Sequence, residues 1–90
     1  MISYKIYTEN KRLGWIRQIL NEFFEGYTIY KTEGVFKGFR EKSIVIEILC
    51  DNKDFRYCEL RINTLCKMLK GYNKQESVLV TKNSLDLLEN

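Results

Sequence analysis

The sequence predicts an α+β chain in the ferredoxin-like order β-α-β-β-α-β, a four-stranded antiparallel sheet with two helices on one face. Three observations carry this. Two alternating β-branched and aromatic runs between Tyr27 and Cys50 meet at Lys37-Gly38-Phe39, the pattern of a long hairpin. Stretches with apolar residues at helical spacing stand on either side of it, and each end of the chain carries one further alternating run. The 90 residues suffice for one domain, taken as 1–90, built around a single core.

In chain order, Ile2-Ser3-Tyr4-Lys5-Ile6-Tyr7-Thr8 alternates as a first strand, with Ile2, Tyr4 and Ile6 toward the core. Thr8 or Asn10 is placed to cap a helix from about Lys11 to Glu25. Leu13, Ile16, Ile19, Leu20, Phe23 and Phe24 form its apolar stripe, and Gly26 stands where a helix-ending glycine belongs. Trp15 falls at the margin of the stripe. That leaves it two roles, packing at the edge of the core or serving as an exposed anchor for a partner.

The hairpin climbs from Tyr27 to Phe36 and returns from Ser43 to Cys50, with Ile44, Ile46, Ile48 and Cys50 on the face that needs cover. Gly34 and Gly38 offer the positive-φ positions of a bulge and a turn. Asp54 is placed to cap a second helix, Phe55 to Lys70, whose core face holds Cys58, Ile62, Leu65 and Leu69. Gly71 ends that helix and Tyr72–Glu76 forms a loop. Ser77–Thr81 reads as the last strand, and Ser84 as the cap of a final helical turn.

Right-handed crossovers put both helices on one face of the sheet. The other face is left bare and carries Lys5, Tyr7, Thr28, Tyr30, Val45, Glu47 and Leu49. Hydroxyls, rings, aliphatics and two charges make it a surface suited to a partner.

Composition narrows the function classes. A formal charge of +3 argues against an acidic DNA mimic and is too weak to establish nucleic-acid binding. Lys37-Gly38-Phe39 opens like an RNA-binding strand, but Val45, Glu47 and Leu49 then offer no stacking ring, so nucleic acid is not the expected partner. No apolar run is long enough to span a membrane, and the first residues lack a basic stretch followed by an apolar one; the expected location is the cytoplasm. Cys50, Cys58 and Cys66 match neither a disulfide framework nor a metal-ligand spacing, so reduced, metal-free thiols and no cofactor are expected. The chain has no histidine, no second acid near Glu41 or Glu47, and no glycine-rich loop opening a helix. The expectation is that it is not an enzyme.

Gly34-Val35-Phe36-Lys37-Gly38-Phe39-Arg40-Glu41-Lys42-Ser43 and Asn73-Lys74-Gln75-Glu76-Ser77-Val78-Leu79-Val80-Thr81 together resemble a family of small uncharacterised bacteriophage and mobile-element proteins. Its pattern is G-x-W-x-G-x-x-E-x-S followed by an apolar strand, then N-x-Q-E-x-V-L-V-T. Phe36 stands here at the tryptophan position. The resemblance carries over Glu41, Ser43 and Gln75 as polar positions and implies counter-defence.

The function expected from this is an anti-CRISPR-like inhibitor that blocks a host bacterial defence complex by protein–protein contact. One alternative is a sponge for a small anionic signalling nucleotide, held by Lys5, Arg40, Tyr7, Tyr30 and hydroxyls. Another is a structural or regulatory oligomer, with the bare face paired into a homodimer.

Overall fold

The computed structural model describes residues 1–75 and 78–88 and follows the expected order. Strand β1 (Ile2–Glu9) leads into helix α1 (Leu13–Phe23). The hairpin is β2 (Thr28–Phe36) and β3 (Phe39–Cys50). A short 3-10 turn (Asn52–Asp54) then feeds helix α2 (Phe55–Gly71), and β4 is Leu79–Ser84. All strand pairs are antiparallel, in the spatial order β2-β3-β1-β4. The arrangement is ferredoxin-like, with β1 and β3 at the centre.

The core lies between this sheet and the two helices. Ile2, Tyr4 and Ile6 of β1 and Ile44, Ile46 and Ile48 of β3 meet Ile16 and Leu20 of α1 and Ile62, Leu65 and Leu69 of α2. Alternation at period two on the strands and helical spacing on the helices bring these residues to one interface. Trp15 packs half-buried at its edge, with the Arg12 guanidinium 5.2 Å from its ring centroid.

Several local expectations are corrected. Strand β3 begins at Phe39, four residues earlier than Ser43, because Phe36 pairs directly with Phe39 across the two-residue turn Lys37-Gly38. Both turn residues have positive φ (50° and 82°), as a tight hairpin with right-handed twist demands. Gly34 is not a bulge; it stays in register opposite Glu41.

Helix α1 starts at Leu13, and neither Thr8 nor Asn10 caps it. Its N-cap is Arg12, in left-handed conformation at φ 56° and with no side-chain cap bond. Thr8 is engaged elsewhere, donating to the Gln75 side-chain carbonyl. The helix closes at Phe23, so Gly26 lies beyond its cap, and Asp54 precedes α2 without a capping bond. Strand β4 runs on to Ser84, with Tyr4 paired to Lys82, and residues 85–88 are not helical. The expected strand start at Ser77 lies outside the described residues.

The cysteine expectation is overturned. Cys50 and Cys58 form a disulfide, their Cα atoms 6.7 Å apart, while Cys66 is a free thiol. Cys50 ends β3 on its helix-covered face. The 3-10 turn folds α2 straight back over that strand end, so the first helical turn delivers Cys58 to it.

Candidate functional site

The register sorts the bare face into rows. Thr28, Glu47, Lys5 and Thr81 lie across the sheet in one row; Tyr30, Val45, Tyr7 and Leu79 make the next. Leu49 stands beside Ser3. The seven bare-face residues singled out from the sequence therefore share one surface. Its centre is Glu47. One carboxylate oxygen accepts from the Ser3 hydroxyl and the other from the Tyr30 hydroxyl, each at 3.0 Å. The bond to that carboxylate raises the Tyr30 hydroxyl above its ordinary pKa. Tyr30 and Leu49 remain about half exposed, at 46% and 51%.

A groove of about 370 Å³ lies at the end of this face, where the hairpin overhangs β1. Strand β1 stops at the Glu9–Ser43 pair, and the hairpin runs on past it to the turn. Tyr7 and Glu9 of β1, Phe36 of β2, Glu41 and Ser43 of β3 and Leu79 of β4 line the space. Gly34 lies in it opposite Glu41, with no side chain to fill the volume between them. A Cβ there would meet the Ser43 oxygen at 3.5 Å, ordinary contact, so the backbone does not require glycine but the open space does. Ser43 and Thr32 hydroxyls share a hydrogen bond of 2.8 Å on the same face.

Gln75 supports the groove from behind. Buried, its carbonyl oxygen accepts from the Glu9 amide at 3.0 Å and from the Thr8 hydroxyl. Asn73, also buried, donates to the Lys11 carbonyl at 2.8 Å, and Arg12 donates to the Tyr72 carbonyl at 3.3 Å. The loop after α2 thus clamps the segment that leaves β1. Two non-glycine residues with positive φ, Arg12 and Lys74, sit in this clamp, a strained geometry that such cross-links hold in place.

Of the remaining sequence candidates, Glu41 and Ser43 enter the groove and Gln75 positions its wall. Arg40 does not join them. It pairs with Glu33 at 3.4 Å and, one residue out of phase with Glu41, emerges on the opposite side of the hairpin. Trp15 is on α1, against the core. Glu9, Gly34, Phe36 and Leu79 were not singled out as site residues. For Glu9, Gly34 and Phe36 the signal was the hairpin's length, which outruns β1 and leaves them flanking the overhang; Leu79 joins them from β4, opposite Tyr7.

No protein-family model matches the chain, and no curated protein matches it. Solved structures do. A DUF3240 family protein from Shewanella baltica OS155 superposes with a TM-score of 0.68 at 12% identity, covering 99% of this chain and 93% of that one. A nitrogen regulatory PII-like protein, CPII from Thiomonas intermedia K12, bound to ADP, AMP and bicarbonate, gives 0.62 at 15% identity with the same coverages. A phage SAM lyase in its apo state gives 0.66 at 20% identity, covering 91% of this chain and 78% of that one. These likenesses establish a shared fold, one found in a ligand-bound regulatory-type protein and in a phage enzyme. They correct the expectation of no enzymatic activity. The lyase is an enzyme on this architecture, so a missing histidine dyad does not set the fold apart from catalysis, which resides in sites grafted onto folds.

Proposed function

We propose that the groove beneath the hairpin binds a small adenosyl-type ligand bearing a positive centre, of which SAM, a sulfonium, is the type. The observation that carries this is the lining. Two carboxylates, Glu9 and Glu41, and two rings, Tyr7 and Phe36, face one space, with neither Lys nor Arg among the described lining residues. Carboxylates and aromatic faces attract a cation and stack a base, whereas a polyphosphate would meet repulsion. The Phe36 ring already draws the Lys37 ammonium to 5.4 Å from its centroid. Two structural neighbours supply the chemical class by name: one acts on SAM and one was bound to adenine nucleotides. The anionic-nucleotide reading loses one of its two cations, because Arg40 emerges on the opposite face of the sheet from Tyr7 and Tyr30, and keeps Lys5.

Calorimetric titration with SAM, its neutral thioether counterpart and ADP tests the proposal. SAM should bind at least about tenfold tighter than the thioether, a difference of about 1.4 kcal/mol. Glu41→Gln should remove most of that preference, and Gly34→Val should block the groove while the protein still folds. Equal affinity for the charged and neutral ligands, or tightest binding of ADP, overturns it. Analysis of SAM after incubation shows whether it is turned over.

A second reading, contact with a host defence complex, is favoured by the exposure of Tyr30, Leu49 and Leu79 on the bare face. Capture of such a complex that Tyr30→Asp and Leu49→Lys abolish, with SAM binding intact, would establish it. Survival of capture in both variants would exclude the bare face.

A further inference from the structure

A second groove, of about 620 Å³, lies at the far end of the molecule, where the end of α1, the end of β3 and the start of α2 converge. Phe23, Phe24 and Tyr57 give it apolar walls. Glu22, Glu25, Asp51 and Asp54 line it as well, all exposed. Its one cation among the described residues, Arg61, is occupied: the guanidinium lies 5.4 Å from the Phe23 ring centroid and 4.9 Å from that of Tyr57, and donates to the Tyr57 hydroxyl. The groove therefore presents aromatic walls beneath a surplus of negative charge.

The hairpin tip has the opposite character. Phe39 and Phe36 form a cross-strand pair left 76% and 60% exposed, with Val35 beside them at 68%. Around them stand Lys37, Arg40 and Lys42, of which only Arg40 has an ion-pair partner among the described residues. The tip is narrow, because its turn is only two residues long.

We propose that these two ends are halves of one contact, the hairpin tip of one copy seated in the acidic, aromatic-walled groove of a second copy. The tip cannot fill its own groove. Strand β3 runs unbroken from Phe39 at the tip to Cys50 at the groove, eleven steps or roughly 36 Å. That separation is close to the molecule's longest dimension, 39 Å. The contact is heterologous, joining different surfaces of the two copies, and so either closes into a ring or extends head to tail. Two rings and a valine bury less than the ~1,000 Å² expected of a stable interface. Association is therefore concentration-dependent, and salt weakens it.

Sedimentation velocity across a range of protein concentrations tests this, with thermal melting to confirm that each variant is folded. Wild type should shift to larger species as concentration rises, and about 1 M salt should reverse the shift. Phe39→Asp removes the tip; Glu22→Lys with Glu25→Lys reverses charge at the groove. Each variant alone should stay monomeric. Their equimolar mixture should form a dimer and stop there, since only one intact tip and one intact groove remain. A wild type that is monomeric throughout, variants that associate like wild type, a salt-independent oligomer, or a mixture that does not dimerise each overturn the proposal.

Discussion

Tyr4 shows how one residue joins core packing to surface charge. Its ring is buried beneath the helices, and its hydroxyl donates to a Glu59 carboxylate oxygen at 2.6 Å. The same oxygen accepts from the Lys82 ammonium at 2.7 Å. Lys82, then Tyr4, hold the Glu59 carboxyl below its usual range. Burial first, and the Glu59 hydrogen bond and charge second, push the tyrosine pKa from 10.0 up to about 12. The folded state thus holds this proton more tightly than the unfolded chain does. The stabilisation is complete below about pH 10 and is lost as pH rises through about 12. Thermal melting followed upward from pH 9 should show a loss that is smaller in Tyr4→Phe, which has no proton to release at that position. Leu65 gives a second residue-scale prediction. It is fully buried, so Leu65→Ala should cost about 2–5 kcal/mol in denaturant unfolding, with no effect on ligand affinity at saturating stability.

Among the elements, the junction of β3 with α2 carries a covalent tie. The Cys50–Cys58 bridge spans eight positions, and a loop of that size contributes about 2–3 kcal/mol in the chain-entropy account. Cys58→Ser should lower the melting temperature by several degrees, and a reducing agent should do the same to wild type but not to the variant. This element also marks what the sequence could and could not show. Element order followed from periodicity: Ile44, Ile46 and Ile48 could only be a strand face, and Ile62, Leu65 and Leu69 a helix face. The disulfide was hidden because Cys50 belongs to one element and Cys58 to the next, and their proximity depends on how tightly α2 turns back. The cap of α1 was hidden for a related reason. Thr8 has the right chemistry, but the loop after α2 claims its hydroxyl, and a tertiary contact of that range leaves no local trace. Glu41 and Ser43 were legible through the hairpin motif. Glu9 and Gly34 line the groove only because the hairpin overhangs β1.

At the scale of the whole molecule, cover is uneven, and this decides where the protein can yield. Strands β1 and β3 are each bonded on both edges and packed beneath both helices. Beyond the Glu9–Ser43 pair, the hairpin from Glu33 to Lys42 is held by its own cross-strand bonds and, at its base, by the Asn10 amide donating to the Lys42 carbonyl at 3.0 Å. Every residue there except Gly34, which has no side chain, faces solvent along more than a third of its surface, and even Val35 is largely exposed. Local opening requires the least free energy where few apolar contacts are broken, so the two regions should exchange amide hydrogens on different scales. Central amides such as those of Ile6 and Ile46 should exchange only on global unfolding, and those of residues 33–42 by local fraying many times faster. The proposed groove lies across this boundary, its floor on β1 and its lip on the hairpin. A ligand seated there should slow exchange at Gly34 and Glu41 selectively and leave Ile6 and Ile46 changed only by the overall gain in stability. Hydrogen exchange read by mass spectrometry or NMR, with and without SAM, would decide it. Uniform protection across both regions would mean that the hairpin is as rigid as the core, and protection confined to α1 and α2 would move the binding site off the sheet.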